Sequence, residues 1–167
     1  MREIGVPHPR LPLPPAGGDD DPAAFLAWLG EAIPLVGGLG IREMQRKGQR
    51  LSWRLALAPN LNDKGTGFGG ALSAQTALLG WCWTTLWLRR EGLARDVVVA
   101  DASQRFLAPV TSDYRLTCEP EQADGVEHLQ QRLQERGKGR IALVQSLWCG
   151  DTLCLTARGD YAVLPER

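Results

Sequence analysis

Apolar and polar residues alternate along one stretch of the chain, whereas a second stretch is almost continuously apolar. Leu51, Trp53 and Leu55 alternate with small or polar residues, which is the period of a half-buried strand. Segment 71–91 is apolar on nearly every side of a helix and is closed by Gly92. The pattern therefore predicts a strand followed by a long internal helix that is buried on several sides.

The remaining elements follow from the same reading of periodicity and turn residues. In chain order the sequence predicts a helix at 22–33, strands at about 39–45 and 51–57, the long helix, strands at 97–106 and 114–119, a short polar helix at 126–136, and strands at 140–148 and 152–163. Strands joined mostly by hairpins favour an antiparallel sheet. One such sheet wrapped around one long central helix is the α+β arrangement called a hotdog fold, which we expect here.

Residues 1–20 carry no periodic apolar pattern. Five of the eleven prolines fall in this segment, together with Gly17 and Gly18. This composition predicts a disordered, proline-rich tail over residues 1–20 and a single hotdog domain over residues 21–167. His8 lies in the predicted tail and is therefore not expected to be catalytic.

Composition and charge restrict the classes of partner. Hydrophobic residues make up 44% of the chain and charged residues 23%, as in an ordinary globular protein. Nineteen basic residues balance nineteen acidic ones, so no net field attracts nucleic acid or an anionic membrane, and neither partner is expected. No apolar run is long enough to span a bilayer. The first ten residues lack the apolar centre of a signal peptide, so we expect a cytoplasmic location.

Four cysteines and two histidines limit the possible metal and nucleophile chemistry. The cysteines form no C-x-x-C pair, so no metal site is expected, and in a reducing compartment they are expected to be buried free thiols. His128 lies on the short polar helix, where we expect it to face solvent. Ser73 and Ser103 then have no base beside them, and the sequence does not predict a Ser-His-Asp triad.

A glycine-rich motif, Gly65-Thr-Gly-Phe-Gly-Gly70, follows a strand and opens the long helix. It matches G-x-G-x-x-G, the fingerprint of dinucleotide-binding units. Segment 59–64 lengthens a link that should be tight, and Asp101 lies 31 residues past Gly70. In a dinucleotide-binding unit the acidic residue follows after about 20 residues, and further parallel βαβ units follow where this chain has hairpins. These differences disfavour a dinucleotide site. No Lys-Ser or Lys-Thr follows the glycines, which excludes a P-loop.

The same glycines stand where the long helix begins. The first backbone N–H groups of a helix have no partner inside it and carry partial positive charge. Gly69 and Gly70 let a ligand approach that backbone, so the site can hold an oxyanion. Alternatively, the glycines only allow the helix to pack closely in the sheet, and the spacing alone leaves both interpretations open.

Four short motifs resemble one protein family. They are Asn62-Asp-Lys-Gly-Thr-Gly-Phe-Gly-Gly70, Gly80-Trp81, Val99-Ala-Asp101 and Arg105-Phe-Leu-Ala-Pro109. Over about residues 21–165 the chain resembles the family named for the C-terminal domain of the bacterial protein YiiD, in the hotdog thioesterase superfamily. Members are labelled thioesterases or malonyl-acyl-carrier-protein decarboxylases. The resemblance implies a thioester substrate carried by acyl carrier protein or coenzyme A, and no other cofactor.

The chain departs from the wider superfamily at two positions. Many hotdog thioesterases carry His-Gly-Gly at this loop and an acidic residue seven positions after the second glycine. Phe68 and Ala77 stand at those positions here. The usual hydrolytic carboxylate is absent from its usual place, so the hydrolytic mechanism does not transfer directly.

Polar residues in and near the loop are the candidates for the chemistry. Asp101 and Ser103 lie two apart on a strand, so both are expected on one face. Asn62 is a candidate because its amide both donates and accepts hydrogen bonds. The predicted catalytic residues are Asn62, Gly69, Gly70 and Asp101, and the predicted substrate-binding residues are Asp63, Thr66, Phe68, Ser73, Gln75 and Ser103.

Two reactions fit these residues. Hydrolysis needs an activated water and hence a base, for which Asp101 or Asp63 would have to serve. Decarboxylation of a malonyl thioester needs neither nucleophile nor base, because carbon dioxide leaves and negative charge moves to the thioester oxygen. The amides of Gly69 and Gly70 could stabilise that charge. We favour conversion of malonyl- to acetyl-acyl carrier protein for fatty acid synthesis, with hydrolysis and a non-catalytic acyl-binding module as alternatives.

The expected fold also predicts self-association. A sheet around one helix leaves an open edge strand and an uncovered apolar flank of the helix. Hotdog domains typically pair through that edge. We therefore expect a homodimer or a dimer of dimers.

Overall fold

A computed structural model describes residues 1–15 and 17–167 of the chain. Its elements are α1 (Pro22–Ala32), β1 (Ile41–Lys47), β2 (Arg50–Leu55), α2 (Gly69–Arg90), β3 (Val97–Phe106), β4 (Tyr114–Pro120), α3 (Gly125–Arg136), β5 (Gly139–Cys149) and β6 (Thr152–Val163), with 3₁₀ turns at Pro34–Gly38 and Ala58–Asn60. Their order is the one that the sequence predicts, and the boundaries are close to the predicted ones. No helix within these two ranges is long and apolar enough to cross a membrane.

The strands form one antiparallel sheet in the order β1-β2-β4-β5-β6-β3. Strand β3 pairs with β6 instead of its sequence neighbour β4, so β1 and β3 are the edge strands. The inner face of the sheet is apolar and packs around α2, which is buried along most of its length. This confirms the α+β hotdog arrangement expected from the sequence.

The tightest contact between α2 and the sheet lies at Gly80. A Cβ atom added to Gly80 would lie 2.0 Å from the ring of Tyr161 on β6, so only glycine allows the helix to approach this closely. The Tyr161 hydroxyl donates a hydrogen bond to the carbonyl oxygen of Ala77 at 3.0 Å, which fixes the ring there. Packing therefore requires the glycine of the Gly80-Trp81 motif.

Strand β3 contains a β-bulge between Val99 and Asp101. Before the bulge, Val99 pairs with the buried Tyr161 and faces α2. After it, Asp101 pairs with Asp160 and Ser103 pairs with Arg158, both on the outer face of the sheet. The extra residue of a bulge shifts which face each later side chain occupies.

Part of the N-terminal segment, at residues 9–12 and at Asp20, contacts the body of the protein, whereas the sequence predicts a disordered tail over residues 1–20. The Arg89 guanidinium is buried and binds both carboxylate oxygens of Asp20, at 2.8 and 2.9 Å. It also donates to the carbonyl oxygens of Leu11 at 2.7 Å and Pro12 at 2.6 Å. The carbonyls of Leu11 and Pro12 are acceptors, and buried Arg89 supplies the donors for them.

The ion pair between Asp20 and Arg89 generates a prediction about stability. Asp20→Ala should lower the free energy of unfolding by about 3 to 5 kcal/mol, because it leaves the Arg89 charge buried and unpaired. Asp19→Ala is the matched control. Its carboxylate is 57% exposed and pairs with Arg46 at the surface, so its loss should cost less than about 1 kcal/mol. Urea unfolding measures both, and equal small losses would contradict the docked segment.

Candidate functional site at the start of helix α2

Helix α2 begins without a capping side chain. Its N-cap is Phe68, whose carbonyl oxygen accepts a hydrogen bond from the Leu72 amide at 3.0 Å, and no acidic residue lies in the first turn. The amides of Gly69, Gly70 and Ala71 have no hydrogen-bond partner within the described part of the chain. Three free donors with the partial positive charge of a helix start have the chemistry to hold an oxyanion.

Asn62 shapes the loop that precedes the helix. Its side-chain oxygen accepts hydrogen bonds from the amides of Lys64 at 2.9 Å and Thr66 at 3.0 Å. Its side-chain nitrogen donates to the Thr66 hydroxyl at 2.9 Å and to the Gly67 carbonyl at 3.3 Å. These four bonds use the whole capacity of the amide. A substrate group could bind Asn62 only if one of them broke.

Three buried side chains connect this loop to the helix and the sheet. Gln75 is fully buried and donates to the side-chain oxygen of Asn60 at 3.0 Å. The Tyr114 hydroxyl donates to the side-chain oxygen of Gln75 at 2.7 Å, and Asn60 donates to the carbonyls of Leu39 and Ala56. Burial raises the pKa of Tyr114 to about 12, so its hydroxyl stays protonated and continues to donate. Gln75 therefore lies beneath the predicted site and supports it.

Two exposed phenylalanine rings flank the free amides. A Cβ atom at Gly70 would lie 2.6 Å from the ring of Phe68, and one at Gly69 would lie 3.5 Å from the ring of Phe106. Both rings are 54% exposed. A Cβ at Gly67 would lie 2.8 Å from the Val110 side chain. Gly67 is thus required by packing, whereas the side chain missing at Gly69 leaves open access to the backbone.

The structure corrects the placement of Asp101 and Ser103 beside the loop. The β3 bulge turns both side chains to the outer face of the sheet, away from α2. Gln104 faces α2 in their place, with its side-chain nitrogen 3.5 Å from the Thr76 hydroxyl, which donates to the Ser73 carbonyl at 2.8 Å. Sequence reasoning missed Gln104, since strict alternation from Asp101 assigns it to the opposite face.

The other predicted residues divide between the loop and the helix. Asp63 lies at the exposed tip of the loop, where its carboxylate pairs with Lys64. Thr66 bonds to Asn62 within the loop. Ser73 lies half-buried on α2, one turn after the free amides.

An apolar cavity of about 310 Å³ follows the half-buried flank of α2. Ala74, Ala77 and Leu78 line it from the helix, and Val99 lines it from the edge strand β3. Trp81 lies at its far end, away from the free amides. An aliphatic group bound at the start of α2 could extend along this flank.

A comparison with known protein families finds one match. Residues 23–165 match the sequence profile of a family described as "Putative thioesterase (yiiD_Cterm)".

Solved structures share the fold. A protein of unknown function from Chlorobaculum tepidum TLS is 24% identical, with a TM-score of 0.78, over 86% of this chain and 94% of that one. A putative thioesterase from Shewanella oneidensis is 28% identical, with a TM-score of 0.72, over 85% and 96%. A thioesterase from Haemophilus influenzae is 19% identical, with a TM-score of 0.66, over 84% and 88%.

The hydrogen bonds of Asn62 generate a prediction about the loop. Asn62→Ala should raise the amide hydrogen-exchange rate of Thr66 at least about tenfold, because the loop loses the side chain that holds it closed. Asp63→Ala is the matched control, since the Asp63 side chain is 79% exposed and pairs with the neighbouring Lys64. Unchanged exchange in Asn62→Ala would show that the loop keeps its shape without this side chain.

Proposed function

Because the chain belongs to the family described as "Putative thioesterase (yiiD_Cterm)", we propose that it is an enzyme that processes acyl thioesters at the start of α2. The observation that carries this proposal is the set of free amides at Gly69, Gly70 and Ala71, which no side chain caps. Hydrolysis and decarboxylation of a thioester both place negative charge on the thioester oxygen. Backbone donors fixed toward that oxygen would stabilise either transition state.

The side chains around these amides favour decarboxylation of a malonyl thioester. Of the two carboxylates proposed as a base, Asp101 faces the outer side of the sheet and Asp63 pairs with Lys64 at the exposed loop tip. Decarboxylation needs neither. The bond between the carboxylate and the α-carbon breaks, carbon dioxide leaves, and the electron pair moves to the thioester oxygen as an enolate. A proton from water then adds to the α-carbon and gives the acetyl thioester.

Gln104 is the polar group suited to hold the malonyl carboxylate. It faces the first turns of α2, and within the described part of the chain its amide makes one hydrogen bond, the 3.5 Å approach to Thr76. A second N–H and the amide oxygen therefore remain for a ligand. A carboxylate bound there could be held out of the thioester plane, where the breaking bond aligns with the carbonyl system. We propose malonyl-acyl carrier protein as the substrate. We also propose a cytoplasmic location for the protein.

Hydrolysis of a longer acyl thioester is the second candidate, and the apolar cavity along α2 favours it. Its volume of about 310 Å³ and its lining by Ala77, Leu78 and Val99 suit an aliphatic chain. This reaction would need a base from outside the residues considered above. The carrier in this case could be coenzyme A or acyl carrier protein.

Product analysis tests the proposed reaction. With malonyl-acyl carrier protein we expect acetyl-acyl carrier protein and carbon dioxide in equal amounts, because the electron pair stays on the thioester. Mass spectrometry of the carrier protein and trapping of labelled carbon dioxide measure both products. Free malonate with free thiol would support the hydrolase instead, and binding without turnover of any thioester would leave only the acyl-binding module.

A pair of neighbouring variants provides the control for the site. Gln104→Leu should lower kcat/KM about tenfold to a hundredfold, as expected when hydrogen bonds to a charged group are lost. Ser103→Ala, one residue away on the outer face, should leave kcat/KM unchanged. Equal activities would show that Gln104 does not touch the substrate, whatever the products.

We also propose that the chain forms a homodimer through the edge strand β3. Val98 and Val99 are each 42% exposed and Phe106 is 54% exposed, although all three lie on this strand. An exposed apolar edge strand invites pairing with a second copy. Pairing there would also cover the apolar cavity beside α2.

Val99→Asp should weaken this dimer, because it places a charge in the proposed interface. Leu13→Asp is the control, since Leu13 is similarly exposed but lies in the N-terminal segment. Light scattering at micromolar concentration should give a dimer for the wild type and the control, and a shift toward monomer for Val99→Asp. A monomeric wild type would contradict the proposal.

A further inference from the structure

Two cysteines lie together on the hairpin of β5 and β6. Cys149 is the last residue of β5 and is partly exposed, which corrects the expectation that all four thiols are buried. Cys154 is buried and is the extra residue of a bulge in β6, because Leu147 pairs with Leu155 and Trp148 pairs with Leu153. It therefore has no residue directly opposite it on β5.

Both thiols contact the same turn, residues 109–112. The Cys149 sulfur lies 3.4 Å from the hydroxyl oxygen of Ser112 and 3.5 Å from its carbonyl oxygen. The Cys154 sulfur lies 3.7 Å from the carbonyl oxygen of Pro109. The Cys154 sulfur also lies 3.6 Å from the carbonyl oxygen of Thr152, the residue that pairs with Cys149, so the two thiols lie on adjacent parts of one hairpin.

The two thiols differ in acidity. Burial acts to raise the pKa of Cys149, but hydrogen bonds from the Ser112 hydroxyl, from the backbone at Ser112 and Thr111, and from Cys154 outweigh it and lower the pKa. Burial, followed by the negative charge of Cys149, raises the pKa of Cys154. Cys149 is thus the better nucleophile, and Cys154 is a protonated thiol beside it.

We propose that Cys149 and Cys154 are an oxidation site that reacts with hydroperoxides and closes to a disulfide. The Cys149 thiolate attacks the peroxide, the O–O bond breaks, and the departing oxygen takes a proton, leaving a sulfenic acid. The Cys154 sulfur then loses its proton and attacks the Cys149 sulfur, and the S–O bond breaks with release of water. Two thiols and one hydroperoxide give one disulfide, one alcohol and one water.

This reaction would affect the loop that precedes α2. The turn that both thiols contact contains Val110, whose carbonyl oxygen accepts a hydrogen bond from the Gly67 amide at 2.8 Å. A disulfide removes both S–H donors from this turn. Oxidation should therefore alter the loop before α2 and lower thioester turnover, an effect that rests on the proposed function, whereas the disulfide itself does not.

Peptide mass spectrometry of the full chain tests the proposal. After treatment with hydrogen peroxide and cleavage with trypsin, residues 141–158 form one peptide that carries both cysteines. We expect this peptide to become two hydrogen atoms lighter and to revert with dithiothreitol. Cys82 and Cys118 are the internal control, because both are fully buried. They should remain thiols.

Two variants separate the roles of the thiols. In Cys154→Ser the sulfenic acid on Cys149 should persist and be trapped by dimedone, whereas in Cys149→Ser no dimedone adduct should form. Four free thiols in the treated wild type, or a disulfide only between two molecules, would overturn the proposal. Failure of turnover in the untreated enzyme would refute only the proposed function.

Discussion

The hydrogen-bonded chain of Asn60, Gln75 and Tyr114 is the constraint on which the site depends. A buried amide such as Gln75 is costly unless each of its polar groups finds a partner. Gln75 lies on helix α2, and its partners come from two other parts of the chain: Asn60 from the turn after β2 and Tyr114 from strand β4. Satisfying one side chain therefore fixes the loop, the helix and the sheet relative to one another. The free amides at the start of α2 keep their direction because the structure beneath them cannot shift without breaking these bonds.

The strands and α2 could be predicted from the periodicity of apolar residues, because burial of one face of an element repeats apolar residues at a fixed spacing. The direction of side chains on β3 could not. Between Val97 and Phe106 no glycine or proline marks the bulge, so alternation assigned Asp101 to the face toward α2. One extra residue exchanges the two faces of the strand. Gln104 becomes recognisable as a site residue only when the pairing with β6 is known.

Two other features could not be predicted from the sequence, for a different reason. Asn and Asp in a glycine-rich loop suit both a turn and a catalytic site, and residue type alone does not distinguish them. Asn62 makes four hydrogen bonds within the loop and so holds the turn, and its role toward a substrate stays a prediction. The contact of the N-terminal segment with α2 includes a pair of charges, Asp20 and Arg89, that lie 69 positions apart. The sequence around each charge does not identify its partner. The nearby prolines instead give the composition of a disordered tail.

The contact between Arg89 and the N-terminal segment also implies an order of folding. Leu11 is made 78 residues before Arg89 during synthesis from the amino end, and closing such a long loop is entropically costly. Proline-rich segments stay extended and solvated without internal hydrogen bonds, so this one can remain undocked in the meantime. We therefore expect helix α2 and the sheet to form first and to present Arg89 to this segment. Contacts made after the rate-limiting step slow unfolding without speeding folding, so this segment contributes to the lifetime of the native state.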